Sequence, residues 1–563
     1  MAKEVKSMLA RIRHDINIEI RLALAVLGEI PSVPDISVEA PAFKEHGDLA
    51  CNVALQLSKQ LKRNPLEIAG SIKAALDLRL AELPLKGVVS SVEVLKPGFI
   101  NFRLTPGAYR SVLKDIRFRG QDFGRTNSGK GKRVLVEFVS ANPTGPLTVA
   151  HARQAAVGDV LVNVLNATGH YAEREFYVND GGNQIRTLGK SVQLRTFELF
   201  GATVDYPEDC YQGGYIHDMA KIFADQKKIA SLDAAKAVAV EEYSGFGKSY
   251  LMDVIREDLR LFRVKFDNWS FESEIATPEK IEETLEDLRH KGFIYEKEGA
   301  LWFKSTQFGD DKDRVVKKSD GFYTYLAPDI VYHKYKYSRG FDLLVDILGP
   351  DHHGYIPRIK AAAAALGKDV NALEGLIIQL ATIFRDGKQL RMSTRAGEFI
   401  SLREVVTEVG TDAGRFFMLM RQVNQQLEFD IDLAKKQAPE NPVYYIQYAH
   451  ARIHRILDKA KDEAGLLPAE DFLKLAQEEE LDLIKKIAQF PEFLDLCAKG
   501  LDPSPLTRYM QELAGVFHRF YDRCRVIDED KTISSERLAL IDATRVTLAN
   551  GLKLLGVTAP EKM

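Results

Sequence analysis

The most informative pattern of hydrophobic and polar positions lies between residues 131 and 178. Residues 132–138 are a short β-branched run after Gly131, which predicts a buried strand. From Val149 apolar residues recur at helical spacing until Gly169, and another apolar run begins at Tyr171. A strand, a Pro-rich turn, a helix and a strand predict a βαβ unit whose turn lies at the carboxyl end of the first strand.

That turn is a candidate phosphate-binding site. A helix N-terminus presents free N–H groups and the positive end of the helix dipole, and both favour phosphate. His151 lies in the first helical turn, so its imidazole is expected where a phosphate chain would lie. The alternative is that His151 is merely a capped or solvated residue, as it would be if it stood alone.

The rest of the pattern divides the chain into three parts. Residues 1–115 are predicted to form an N-terminal α/β module, and a Gly-, Ser- and Lys-rich linker follows at 120–132. Residues 116–440 alternate strands and helices, with an insertion at about 190–320, and predict an α/β domain with an open, Rossmann-like sheet. Residues 441–563 show helical periodicity alone and predict a helical bundle.

Composition describes an ordinary soluble protein. Its 563 residues are 28% charged with a net charge of −3, which excludes a polycationic nucleic-acid coat, although local basic faces can still hold an RNA. The sequence has no apolar run of membrane-spanning length and no signal-peptide core, so we expect a cytoplasmic protein without a membrane partner. The cysteines lack CxxC spacing, which argues against zinc and disulfides: Cys51, Cys210, Cys497 and Cys524.

Two sequence runs flank the predicted helix. Residues 142–147 read Asn-Pro-Thr-Gly-Pro-Leu, and residues 178–185 read Val-Asn-Asp-Gly-Gly-Asn-Gln-Ile. The first resembles the HIGH region of class I aminoacyl-tRNA synthetases, and both resemble the arginyl-tRNA synthetases, in which His-Val-Gly-His follows the turn. Here Thr148 replaces the first His and Ala150 replaces the Gly, while His151 remains. The resemblance implies a catalytic, ATP-binding role for Asn142, Pro143, Thr144, Gly145, Thr148 and His151.

Residues 325–330, Tyr-Leu-Ala-Pro-Asp-Ile, are a candidate amino-acid site. A guanidinium is planar and permanently charged, so a site that selects it needs a carboxylate that accepts in bidentate fashion. The resemblance implies that Tyr325 and Asp329 grip the arginine side chain. It also implies that Glu137 and Asn142 hold the α-amino and carboxylate end or the neighbouring turn. The alternative is that Asp329 only caps a helix starting at Ile330.

A third cluster, Gly-Pro-Asp-His-His-Gly, occupies residues 349–354. Two adjacent His after an Asp suggest a metal site, but adjacent side chains diverge and no further ligand cluster accompanies them. A loop after a strand of the second half of the sheet is the better interpretation, because α/β folds bind nucleotides there. The resemblance implies that this loop receives adenosine, through Gly349 and through Asp351 or His352. A purely structural loop remains an alternative.

Residues 389–395 read Gln-Leu-Arg-Met-Ser-Thr-Arg and resemble the KMSKS region of the class. That loop carries positive charge onto the triphosphate as pyrophosphate leaves. Arg391 and Thr394 replace the two signature lysines, and Lys and Arg are not interchangeable. The resemblance assigns Met392 to adenosine as well. The phosphate-binding candidates are Lys388, Arg391, Met392, Ser393, Thr394 and Arg395.

The resemblance covers nearly the whole chain. It implies a ligase of protein biosynthesis that activates L-arginine with ATP and transfers it to the 3' end of tRNA(Arg). It implies a tRNA-contacting N-terminal module and an anticodon-binding bundle, with Mg²⁺ assisting, no metal ligand from the protein and no zinc. We expect a monomer without a DNA partner. The alternatives are a catalytically impaired tRNA-binding paralogue and another class I enzyme, such as the zinc-dependent cysteinyl one.

Overall fold

The computed structural model describes residues 8–80, 85–390 and 400–563. Its N-terminal part is a four-stranded antiparallel sheet, covered by helices, whose strands stand in the order Val38–Glu39, Leu49–Cys51, Phe99–Leu104 and Val89–Leu95. Helix and strand periodicities meet in one core, where Ile72 of a helix and Phe102 of a strand are fully buried. The elements are α1 (Met8–Ala23), β1 (Val38–Glu39), β2 (Leu49–Cys51), α2 (Val53–Leu61), α3 (Pro65–Leu80), β3 (Val89–Leu95), β4 (Phe99–Leu104) and α4 (Pro106–Arg119).

Residues 133–317 contain the predicted βαβ unit and the region expected to be an insertion. The elements are β5 (Arg133–Glu137), α5 (Val149–Ala167), β6 (Tyr171–Val178), α6 (Gly182–Leu199), α7 (Gly214–Lys227), α8 (Leu232–Ala237), α9 (Val240–Leu261), β7 (Asn268–Phe271), α10 (Glu272–Ile275), α11 (Pro278–His290), β8 (Ile294–Lys297), β9 (Ala300–Phe303) and β10 (Arg314–Lys317). Strand β7 pairs in parallel with β6. The region expected to be an insertion, 190–320, therefore differs from expectation, because it contains a strand of the central sheet.

Residues 326–435 complete the α/β domain. The elements are α12 (Leu326–Ser338), β11 (Leu343–Leu348), α13 (Tyr355–Ala365), β12 (Leu373–Ile377), β13 (Ala381–Arg385), β14 (Lys388–Gln389), α14 (Leu402–Val409), α15 (Thr411–Met418), β15 (Leu427–Asp430) and α16 (Ile431–Lys435). Five parallel strands stand in the order β12-β11-β5-β6-β7. The expected α/β fold with an open parallel sheet is confirmed.

The two faces of this sheet carry different helices. Val134 and Val136 of β5 are buried in the core that contains α5, whereas Leu135 belongs to the core formed by α12 and α13. Successive side chains of a strand point to opposite faces, so Glu137 shares the face of Leu135. The carboxyl end of β5 therefore brings a carboxylate beneath α12.

The C-terminal part is a helical bundle, as predicted. Its first helix begins after Asn441, whose side chain accepts hydrogen bonds from the backbone N–H groups of Val443 and Tyr444. The bundle packs against α4 and α5. Within the described ranges, none of the helices combines the length and apolarity needed to cross a membrane. The bundle helices are α17 (Pro442–Ala464), α18 (Glu478–Ala488), α19 (Phe490–Gly500), α20 (Ser504–Arg523) and α21 (Lys531–Leu555).

Candidate active site

A cleft of about 650 Å³ opens at the carboxyl ends of β5, β6 and β11. Ligands of open α/β sheets bind at this edge, where the strand order reverses. The structure brings together here predicted residues from three separate parts of the sequence. The predicted residues that line the cleft are Glu137, Asn142, His151, Tyr325, Asp329, Gly349, Asp351 and His352.

The end of β5 has an unusual backbone that turns the chain sharply into the cleft. Val139 and Ser140 both have positive φ, 68° and 41°, and a β-branched residue rarely adopts this conformation. The Ser140 hydroxyl donates to Glu137 Oε1 at 2.8 Å and accepts from the Tyr177 N–H at 3.1 Å. The Ser140 hydroxyl thus helps to hold the Glu137 carboxylate in the lining of the cleft.

His151 is held in one orientation at the start of α5. Its Nδ1 accepts from the Thr148 N–H at 3.0 Å, and the Thr148 hydroxyl lies 3.1 Å from the same nitrogen. Burial lowers the pKa of His151 to about 4, so the ring is neutral at physiological pH. Because Nδ1 accepts, the ring proton resides on Nε2. His151 can therefore offer a neutral N–H donor to an anion in the cleft.

The other residues of the HIGH-like turn support the cleft from outside its lining. Pro143 is buried, the Thr144 carbonyl accepts from the Tyr215 hydroxyl at 2.8 Å, and Gly145 lies against the same tyrosine. Thr148 does not line the cleft either, and its hydroxyl faces His151. A direct contact between Thr148 and a phosphate stays a prediction, whereas its contact with His151 is a feature of the structure.

The HIGH-like region is hydrogen-bonded to residues 400 and 402. The Leu402 N–H donates to the Leu147 carbonyl at 2.8 Å, and the Val149 N–H donates to the Ile400 carbonyl at 3.1 Å. These bonds join the start of α5 to the chain that directly follows the KMSKS-like segment. Arg391, Met392, Ser393, Thr394 and Arg395 themselves lie outside the described residues.

Lys388 stands before that segment. It pairs with Arg385 in a two-residue hairpin whose turn, Asp386 and Gly387, has positive φ at both positions. Such a turn matches the twist of the strands that it joins. The Lys388 side chain is exposed and does not line the cleft.

Tyr325 and Asp329 lie at the start of α12. The helix begins at Leu326, so Asp329 is its fourth residue and does not cap a helix starting at Ile330. Tyr325 is 71% exposed at the mouth of the cleft. Burial raises the pKa of Asp329 to about 7, against the influence of His333, and the charges of Glu272 and Glu137 add to the rise. The described lining of the cleft carries four carboxylates and one arginine: Glu137, Glu272, Asp329, Asp351 and Arg358.

Glu272 is a cleft residue that the sequence analysis missed. It directly follows β7 and accepts from the Tyr177 hydroxyl at 2.7 Å, while the Tyr177 ring stacks on Tyr332 with centroids 4.1 Å apart. Burial raises the pKa of Glu272, and the charge of Asp180 adds to this. Recognising β7 as a strand of the sheet would have exposed it, because its carboxyl end meets the same edge.

The 349–354 loop follows β11. Gly349, Asp351 and His352 line the cleft, the latter two with exposed side chains, and the His352 ring meets Tyr355 edge-on at 5.8 Å between centroids. Within the described part of the chain, no three His, Cys, Asp or Glu side chains are grouped as a metal would need. The loop is thus available to a polar ligand at the switch point of the sheet.

An open parallel sheet with a neutral histidine in the first turn of the helix after its central strand is typical of a class I aminoacyl-tRNA synthetase. Residues 113–458 match the family described as tRNA synthetases class I (R), catalytic domain. Residues 10–104 match the arginyl tRNA synthetase N terminal domain, and residues 446–563 match the DALR anticodon binding domain. The chain belongs to the arginyl-tRNA synthetase family.

Similar proteins agree with this assignment. Arginine–tRNA ligase of Syntrophotalea carbinolica is 46% identical over 535 residues, covering 94% of this chain and 96% of that protein. Arginine–tRNA ligase of Bacillus subtilis is 44% identical over 550 residues, covering 97% and 98%. The solved arginyl-tRNA synthetase of Thermus thermophilus has the same fold, with a TM-score of 0.75 at 22% identity, and covers 98% of this chain and 100% of that chain.

Proposed function

We propose that this protein is an arginine–tRNA ligase whose acidic cleft selects arginine. The observation that carries the proposal is the carboxylate pair in one cleft, Asp329 and Glu272, opposite the start of α5. A guanidinium needs anionic, planar acceptors, and a triphosphate needs the N–H donors of a helix start. The cleft provides both beside one another.

In the first step, a carboxylate oxygen of arginine attacks the α-phosphorus of ATP. The bond from this phosphorus to the bridging oxygen breaks, and pyrophosphate leaves. In the second step, a terminal ribose hydroxyl of tRNA attacks the carbonyl carbon of arginyl-adenylate, and AMP leaves. The protein aligns the reactants and stabilises charge on the phosphates.

The charge of each cleft residue indicates which part of arginine or ATP it would bind. Asp329, Tyr325 and Glu272 hold the guanidinium, and Glu137 with Asn142 holds the α-amino and carboxylate end. His151 donates from Nε2 to a phosphate oxygen. Adenosine lies against the 349–354 loop and Met392. Cations for the departing pyrophosphate come from Lys388, Arg391 and Arg395.

Mg²⁺ accompanies ATP in this proposal. The ion prefers substrate phosphates and water over an all-protein cage, so the phosphates of ATP would hold it. When bound, it neutralises charge on the phosphates. His151 and the helix start orient these phosphates from the protein side.

The C-terminal bundle offers a surface suited to tRNA. A cavity of about 620 Å³ is lined by Tyr448, Arg452 and Tyr521, and the Arg452 guanidinium lies 3.9 Å from the Tyr521 ring centroid. Aromatic rings and arginines together bind unpaired nucleotides by stacking and charge. We propose that this surface contacts the tRNA, and that the protein acts as a monomer in the cytoplasm.

ATP–pyrophosphate exchange tests the function directly. We expect exchange that needs arginine and increases strongly when tRNA(Arg) is added, because tRNA binding completes the site. Lysine, citrulline and cysteine serve as control substrates and should be inactive. Tight tRNA binding without exchange or charging would instead identify a catalytically impaired paralogue, and cysteine-dependent exchange would identify another class I enzyme.

A further inference from the structure

Three buried carboxylates form a row across the central sheet beneath the cleft. Asp346 of β11 is the register partner of Glu137 in β5, and Glu137 is the register partner of Glu175 in β6. They are 5%, 8% and 0% exposed. Neighbouring strands lie about 4.8 Å apart. Like charges at this spacing repel strongly unless cations or donors stand between them.

Helix α12 and the residue that follows it supply two cations and a tyrosine hydroxyl that separate these charges. Lys336 of α12 lies 2.6 Å from Asp346 and also forms an ion pair with Glu137. The Tyr332 hydroxyl lies 2.7 Å from Glu175 Oε1 and 3.0 Å from Glu137 Oε2. Beyond it, Arg339 forms an ion pair with Glu175. Each carboxylate of the row is therefore matched by at least one hydrogen-bond donor from this part of the chain.

Lys336 is the central group of this arrangement. Its side chain is 0% exposed. Burial alone would lower the pKa of Lys336, but the charges of Asp346, Glu137 and Glu175 outweigh burial and raise it above its ordinary value. Lys336 thus stays an ammonium, and removing it would leave three carboxylates facing one another without a cation in the middle.

The same helix carries the proposed guanidinium site. Asp329, Tyr332 and Lys336 are spaced by three, four and seven positions, so they share one face of α12. The His333 ring reinforces this, because Nδ1 lies 2.8 Å from the Asp329 carbonyl and Nε2 lies 2.9 Å from Asp346. Any shift of α12 on the row would move Asp329 relative to Glu137.

We propose that Lys336 is a positioning residue for arginine: by pairing with Glu137 and Asp346 it fixes the Glu137 carboxylate at the cleft and holds α12, and with it Asp329, in place against the sheet. The inference rests on the proposed function and deepens it. Lys336 touches no substrate in this role. It sets the positions of two groups that do, Glu137 and Asp329.

A purely structural role of Lys336 and a positioning role lead to different expected results. If Lys336 only stabilised the fold, its loss would lower the amount of folded protein without changing the affinity for one substrate. If it positions the two carboxylates, its loss should raise the arginine KM selectively.

The pH dependence of the arginine KM is influenced by the charged and titratable groups around Glu137. These groups are Tyr332, Lys336, Asp329, Asp346, Glu175, Tyr177, Glu272 and Tyr355.

The test is tRNA-dependent exchange with Lys336→Met, Lys336→Arg and Tyr332→Phe. We expect the arginine KM of Lys336→Met to rise about tenfold or more, with the ATP KM changed by less than about twofold. One carboxylate of the row should take up a proton near neutral pH in this variant. Its arginine KM, relative to the unaltered protein, should therefore fall as the pH is raised from about 7 to about 9. Lys336→Arg should retain part of the affinity.

Tyr332→Phe keeps the ring stack and the charges but removes one hydroxyl. If Lys336→Met does not fold, this variant tests whether the contacts between α12 and the carboxylate row affect arginine binding. It should raise the arginine KM by about threefold to tenfold. Arg314→Met, which breaks a largely buried 2.8 Å ion pair with Asp310 outside the cleft lining, controls for general destabilisation and should leave the arginine KM unchanged. Equal rises in both KM values, or none, would overturn the inference alone. Loss of arginine dependence in the unaltered protein would overturn the proposed function as well.

Discussion

Arginine affinity should depend on pH through Asp329. Burial raises the pKa of this carboxyl to about 7, so a proton competes with the guanidinium for it near neutral pH. The guanidinium stays protonated at every accessible pH and prefers the ionised carboxylate. Binding should therefore be strong above the pKa of Asp329 and weaken as the pH falls through it.

The pKa sets the size of the effect. About nine in ten Asp329 side chains are ionised near pH 8, and about one in eleven near pH 6. The apparent Kd scales inversely with this fraction, so arginine should bind about tenfold more weakly near pH 6, or about 1.4 kcal/mol. Binding near pH 7 should release about half a proton per arginine bound.

Titration calorimetry with arginine measures both quantities. Two buffers of different ionisation enthalpy at each pH give the number of protons released. Asp329→Asn is the matched control, because it keeps the size of the side chain and removes the titrating charge; its arginine affinity should be weaker and independent of pH. Equal Kd values near pH 6 and pH 8, or a binding enthalpy that does not depend on buffer, would refute this reasoning.

Two further predictions concern α5. His151→Ala should slow tRNA-dependent exchange by about 10-fold to 1,000-fold, because a donor to developing charge is lost, whereas Thr148→Val should slow it by less than about tenfold. A larger effect at Thr148 would mean that its hydroxyl, and not His151, serves the phosphates. Arg415→Met should lower the free energy of unfolding by about 3–5 kcal/mol, because it leaves a buried charge on Asp159 less compensated. Urea denaturation measures this, with the exposed Arg260→Met as control, for which little change is expected.

The elements with strong periodicity could be predicted from the sequence. Strand β5 is buried on both faces of the sheet and α5 is buried along most of its length, so both elements are apolar enough for the local pattern to predict them. Strand β7 has only four residues, Asn268–Phe271, and exists because it pairs with the distant β6. A pattern this short carries no reliable period, so Glu272 at its end could not be assigned to the cleft.

The carboxylate row was hidden for a different reason. Residues 332–339 read Tyr-His-Lys-Tyr-Lys-Tyr-Ser-Arg, which is typical of a solvent-exposed helix face, and a carboxylate at the end of a strand is ordinary at a polar turn. Each pattern has a simple explanation when taken alone. Only the register of three strands against one helix brings Lys336 between Glu137 and Asp346.

Helix α5 is held at two levels along its length, which bears on how a bundle proposed to contact tRNA influences chemistry at the cleft. Near its start the fully buried Arg153 donates to the Gln379 and Gln425 carbonyls at 2.6 and 2.9 Å. In its middle Asp159 pairs with Arg415, whose Nε donates to the Leu555 carbonyl at the end of α21 at 3.0 Å. A displacement of α21 on tRNA binding would act on Asp159, and therefore on the helix whose first turn presents His151. Contacts therefore connect the bundle with the helix that presents the proposed phosphate donor. If the first step requires tRNA, these contacts offer a path from the bundle to the cleft in addition to any effect of the tRNA acceptor end.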